Sequence, residues 1–362
     1  MRGWKKWPIL ALSLLLAAAF LMSRGENSAA PTPRVVDFPE ALRPSERQRI
    51  DARRVLPPAP ATSQPATPTR PRDPLLAALG ATKGKMALVL EANAIRYSPI
   101  GELLIRCLGS DAELMSKFRE ETGIDPLQDL DRIALTEDGV ILTGNFQNAR
   151  LRKLADGDPE SYGNESRIYG PAFGGESSAT SAPADSQFRV GTWRNQLLVF
   201  GQSRAGIAGV LDSVEGRSYG VSPIDESDTY GEVYGTVPAE ALSDLLSAQQ
   251  SDLARRFQSA AQRIRLHLDV THDVALVADV DGANPSELED LAKALGASLS
   301  VASLEARMSS QGELAEILDS ARVIPQEKSF RLEVALPMKM IEKQLASCAA
   351  GSGESSSRTE LR

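Results

Sequence analysis

Six times along this 362-residue chain, a short apolar or alternating run stops at a proline, asparagine or serine and an amphipathic pattern of helical period follows. The six are "MALVLEANAIRYSPIGELLIRCL", "VILTGNFQNARLRKL", "LLVFGQSRAGIAGVL", "EVYGTVPAEALSDLL", "ALVADVDGANPSELEDL" and "FRLEVALPMKMIEKQL". The stops fall at Pro99, Asn148, Ser203, Pro238, Asn284 with Pro285, and Pro337. Proline in the first turn of a helix loses no hydrogen bond, and Asn or Ser there accepts one from a free backbone N–H. A chain written this way must fold as sheets with helices packed on them.

The order of elements predicts a duplication. The first half reads as strand 86–92, helices from Pro99 to about Thr122 and a hairpin turned at Glu137, Asp138 and Gly139, then helix 148–156, a hairpin turned at Arg194 and Asn195, and helix 203–214. The second half reads as strand 230–237, helix 239–261, hairpin 264–280, helices from Pro285 to about Ser320, strand 329–336 and helix 338–348, with one strand in place of the closing hairpin. The fold class is therefore α+β: two tandem, duplicated domains, 75–222 and 223–349, each a mainly antiparallel sheet with helices on one face. Residues 170–186 form an insertion in the first domain, and 350–362 a disordered tail.

The N-terminus adds a location. Arg2, Lys5 and Lys6 precede an apolar run from Pro8 to Met22, flanked by Trp4 and Trp7. That is an export signal, read as an uncleaved single-pass anchor of the inner membrane over residues 1–24; cleavage after Ala30 is the alternative. Eleven of the 22 prolines lie between Pro31 and Pro74. Residues 25–74 thus read as a disordered tether reaching about 40 Å, with a short helix of little apolar face near "PSERQRIDARRV" as an alternative within it, which places the domains in the periplasm or extracytoplasmic space. From residue 75 onward, 28 Lys and Arg face 42 Asp and Glu, a net charge of −14. So acidic a surface repels phosphate backbones and anionic headgroups, which excludes nucleic acid as a partner and leaves membrane contact to the N-terminal helix alone.

The phrases "GIDPLQDLDRIAL" followed by a strand and "NARLRKL", and "NQLLVFGQS" before a helix, resemble a group of uncharacterised exported bacterial proteins with an anchor, a Pro-rich spacer and repeated strand-turn-helix units. The likeness runs loosely over residues 85 to about 348. It implies a fold and a compartment and carries no catalytic signature.

Candidate chemistry is sparse. Asp279, Asp281, Asn284, Glu287, Glu289 and Asp290 cluster around Gly282, yet a calcium loop set on that glycine would need oxygen ligands where Val277 and Leu288 stand. The stretch is read as a strand-to-helix turn. "LLVFGQSRAG" places Ser203 between a strand and a helix, the context of a hydrolase nucleophile, but Ala205 replaces the last glycine and only His267 and His272 exist as bases. Ser203 reads better as a helix cap, with His267 on the polar face of a strand opposite Ile264, Leu266 and Leu268. "GATKGKM" lacks the spacing of a phosphate loop and is read as a turn. Cys107 and Cys348 point to the core, with a bond between them as an alternative. Asp129 with Asp131, and Glu120 with Glu121, read as solvated faces and caps. No metal or cofactor site emerges. The function expected is non-catalytic binding or scaffolding of an envelope protein or component; the alternative is an exported serine hydrolase using Ser203 with His267.

Overall fold

The computed structural model describes residues 36–59, 71–82, 84–109, 112–155, 158–171, 188–243 and 251–343. The expected anchor 1–24, the tail 350–362 and most of the insertion 170–186 lie outside them. Among the described residues no helix is long and apolar enough to cross a membrane. The chain forms two compact units: Ala41–Ala94 with Asp111–Tyr230, and Ile95–Ser110 with the residues up to Glu40 and the chain from Gly231 onward.

The first unit contains α1 (Pro44–Arg53), α2 (Pro74–Leu79) and β1 (Ala87–Leu90), after which α3 (Ala92–Arg96) and α4 (Pro99–Gly109) carry the chain into the other unit. It resumes with α5 (Ala112–Thr122), β2 (Leu130–Thr136), β3 (Gly139–Gly144), α6 (Leu151–Leu154), β4 (Glu160–Tyr162), β5 (Ser166–Pro171), β6 (Arg189–Trp193), β7 (Leu197–Gly201) and α7 (Arg204–Val214). Its strands lie in the order β1-β2-β3-β7-β6-β5-β4, with every neighbouring pair antiparallel. One face buries Val89, Ala134, Ile141, Leu197 and Trp193 on the side of α2 and α7. Gly191 lets α7 approach there: a Cβ at that position would lie 2.4 Å from Ile207 Cγ2. The other face packs Tyr169, Val190 and Leu198 against Ile124, Phe146 and Leu151. The β6–β7 turn holds Arg194 and Asn195 at φ of 50° and 54°, the left-handed geometry of a two-residue hairpin.

The second unit continues with β8 (Val233–Pro238), α8 (Ala239–Ser243), α9 (Ser251–Ala260), β9 (Ala261–Asp269), β10 (Val274–Gly282), α10 (Pro285–Met308), α11 (Gly312–Ser320), β11 (Arg322–Pro325) and β12 (Ser329–Leu336). Helical residues follow at 338–343. The strand order is β8-β9-β10-β12-β11, again antiparallel throughout. Period-2 alternation sends Ile264, Ala278, Val280 and Phe330 to one face, where Phe257 of α9 and Leu288, Leu291 and Ala292 of α10 cover them. Ile317 of α11 and Met340 extend that layer over Val334 and Leu336.

The α+β class with antiparallel sheets is as expected, and six details differ. Residues 25–74 are not a bare tether: α1 and an antiparallel bridge between Leu56 and Arg72 lie within them, with Ile50 and Leu56 buried. The units divide between Tyr230 and Gly231 rather than at 222/223, and residues 95–110 belong with the second. The second closing hairpin keeps both strands, β11 as well as β12. A β4–β5 hairpin, absent from the sequence reading, turns at Gly163. In place of one helix over 239–261 there are α8 and α9, with 244–250 outside the described residues. Helix 148–156 contracts to Leu151–Leu154.

Candidate functional site

The acidic stretch around Gly282 folds as the strand-to-helix turn its alternation predicts. β10 runs to Gly282, and α10 opens at Pro285 with the Asn284 side chain accepting from the Ser286 N–H at 3.1 Å. Glu287 accepts from Asn284 Nδ2, and Glu289 pairs with Lys293 one turn on. The glycine serves close approach: a Cβ on residue 282 would lie 2.0 Å from the Ala260 carbonyl oxygen, where the β9–β10 register shifts. Asp279 and Asp281 are therefore strand residues facing arginines. No group of three or more His, Cys, Asp or Glu side chains able to hold a metal occurs among the described residues.

Those arginines build a polar layer on the face of the second sheet away from its helices. In register across the strands lie Thr236, Arg265, Asp279 and Arg331, and beside them Tyr234, His267, Val277 and Glu333. Arg331 grips Asp279 through Nε at 2.8 Å and Nη2 at 3.2 Å, while Asp281 takes Arg263 at 3.3 Å and Arg265 at 3.4 Å. His267 is only 1% exposed, and Asp269, Asp279 and Glu333 are buried too. Asp269 accepts from the Thr271 N–H, Glu232 from the Val270 N–H and Asp273 from the Met338 N–H, which fix the ends of the strands. Buried carboxylates matched to guanidinium forks hold strand register and orient one another. The array has the chemistry of a structural ion network. Alternation predicted that His267 and Asp269 share a face with Arg265; it could not predict that this face is buried.

Ser203 stands in the other unit, at the N-terminus of α7, with β-region backbone at φ −120°. Its exposed hydroxyl accepts from the Gly206 N–H at 2.9 Å, the bond of an N-cap. The neighbouring Arg204 guanidinium is engaged by Glu160 and lies 5.9 Å from the centre of the Tyr162 ring. The backbone amide is the partner of the candidate nucleophile, and the imidazole proposed for it, His267, is set in the polar layer of the second unit. His272 lies in the β9–β10 turn. In "GATKGKM", Lys85 and Met86 donate their N–H groups to Glu137 Oε1, so the segment is a turn closed by a carboxylate. The Cys107 side chain and Cys348 lie outside the described residues. Asp129 accepts from the Asp125 N–H, while Asp131 is not merely solvated: Arg53 binds it at 2.8 Å.

One surface is chemically conspicuous. α10 buries Leu288, Leu291, Ala292 and Ala306 on one side, and its far side shows Val301, Leu304 and Met308 at 65%, 59% and 79% exposure. These three border a shallow depression of about 360 Å³ with Glu305 and Ser309. With Ala294 and Ala297 they follow alternating spacings of three and four residues, the seam spacing of paired helices. The signal was present in the sequence as a second apolar stripe, offset from the core stripe by roughly half a helical turn. Reading only for amphipathicity hides it, because both stripes count as one apolar helix.

No family model matches the chain, and no curated protein matches it. Among solved structures, crystal form I of TP0453 aligns with a TM-score of 0.33 at 10% identity, covering 76% of this chain and 98% of that one. Crystal form III of TP0453 aligns at 0.37 and 10%, covering 75% and 97%. Neither score is a basis for assigning a fold family or an activity.

Proposed function

We propose that this protein is a membrane-tethered, extracytoplasmic binding or scaffolding module of the bacterial envelope, built from two duplicated α+β units and docking an amphipathic helix of a partner protein along α10. The observation that carries this is the exposed row Val301, Leu304 and Met308. Large apolar side chains clustered on an outer helix face mark interaction surfaces, and seam spacing selects a helix as the occupant. The tether rests on the export signal before Met22, and the outward location follows from the positive residues before it.

Duplication is supported by strand order. Numbered within its own unit and leaving aside the inserted β4–β5 hairpin, each sheet runs first, second, third, fifth, fourth strand: β1-β2-β3-β7-β6 and β8-β9-β10-β12-β11. A helical segment also follows each fifth strand, α7 in one case and residues 338–343 in the other.

A photo-crosslinking residue in place of Leu304, in the full-length protein in its native envelope, tests the docking reading. The expected result is an adduct of one discrete mass, absent when the crosslinker replaces the exposed Arg152 of the first unit. Equal, diffuse labelling from both positions would refute it. A serine-reactive phosphonate that labelled the protein stoichiometrically, and failed on Ser203→Ala, would replace binding by the hydrolase reading.

A further inference from the structure

Helix α1 is held to the first unit almost wholly by charge. Of its ten residues only Glu46 and Ile50 are buried. Arg53 grips Glu91 with two bonds of 2.9 and 2.8 Å and reaches Asp131 at 2.8 Å, and Arg54 pairs with Glu226. Arg49 stands 3.9 Å from both Glu46 and Glu91. Beyond the helix, Leu56 exchanges both backbone hydrogen bonds with Arg72, at 3.1 and 2.9 Å. Burial and the neighbouring Arg132 push the Arg53 guanidinium toward a lower pKa, yet the bonds and charges of Glu91 and Asp131 outweigh them and leave it raised. The Arg53 side chain is 14% exposed, Asp131 31% and Glu226 47%, so mobile ions reach the Arg53–Asp131 and Arg54–Glu226 pairs, while Glu91 at 4% keeps its own bonds to Arg53 the least screened.

We propose that residues 41–57 are an ionic strap: a segment that detaches from the first unit as ionic strength rises while the sheet stays folded. Charge pairs at a surface are screened within about 8 Å at physiological salt, whereas apolar burial is not, so a segment that buries only Ile50 and Leu56 among its large apolar side chains and carries five arginines, three of them in the helix, opens before a sheet that buries both faces.

Hydrogen exchange on the full-length protein in nanodiscs tests detachment. Amides of 47–56 are expected to exchange about tenfold faster at 0.5 M than at 0.05 M sodium chloride, with those of β2 and β3 unchanged. Glu91→Gln should give the fast rate already at low salt and flatten its salt dependence, and Arg53→Lys, which keeps the charge but loses the fork, should fall between. Exchange of α1 in step with β2 and β3 at every salt concentration would overturn the strap.

Discussion

Asp73 holds Arg132 by two charge-assisted hydrogen bonds, at 2.8 and 2.9 Å, with the two side chains only 3% and 4% exposed. The same carboxylate caps α2 by accepting from the Leu75 N–H at 2.7 Å. One residue thus starts the helix that covers the first sheet and neutralises the guanidinium buried beneath it. Taking the carboxylate's charge away leaves that guanidinium in a low-dielectric site. Asp73→Asn, which can still cap, should cost about 3 kcal/mol in urea unfolding, and Asp73→Ala about 1 kcal/mol more. Arg132→Met combined with Asp73→Asn should cost much less than the sum of the single changes.

Glu215 should make the first unit acid-sensitive. Burial raises its pKa, but the Ser166 hydroxyl, the Asn164 and Glu165 N–H groups and Arg217 outweigh burial and hold it below the ordinary value. A group with a depressed folded pKa binds its proton more readily in the unfolded chain. Its contribution is therefore complete above the ordinary glutamate range, about pH 4.3, and disappears as pH falls through the folded value. Glu215→Gln should remove about 1 to 3 kcal/mol at pH 7 and reduce the difference between stabilities measured at pH 7 and pH 3.

Ser203→Ala should cost about 1 kcal/mol by removing the cap of α7, whereas Ser203→Asp should cost almost nothing because aspartate caps as well. A nucleophile would lose its activity in both variants, since neither alanine nor aspartate supplies the hydroxyl.

Gly282→Ala should destabilise the second unit by at least about 2 kcal/mol, because its Cβ would collide with the Ala260 carbonyl. Thermal midpoints in excess calcium and in chelator should coincide for the unsubstituted protein, given arginine partners for Asp279 and Asp281.

What was legible in the sequence is what neighbouring residues decide. Arg194 with Asn195, Ser203, Pro99 and Asn284 each set a turn or cap within four residues, and each was found where expected. β11 escaped notice because "RVIP" is a short edge strand ending in proline, with little alternation to detect. For α1 the helix was legible but its docking was not, because its hold is long-range: Arg53 and Glu91 are 38 residues apart, and an arginine-rich helix in Pro-rich surroundings has the composition of a spacer. The polar layer on the second sheet looked like a wet face, since alternation of charged with apolar residues has the same pattern whether the charged side meets water or is buried in pairs.

The docking row on α10 is the centre of this account, and Leu304→Asp tests it most directly. Leu304 is 59% exposed, so the change should alter unfolding free energy by less than about 0.5 kcal/mol. The account predicts a folded protein of unchanged stability in which the discrete adduct formed from a crosslinker at Met308 is lost. An adduct of the same mass and yield from Leu304→Asp would contradict it.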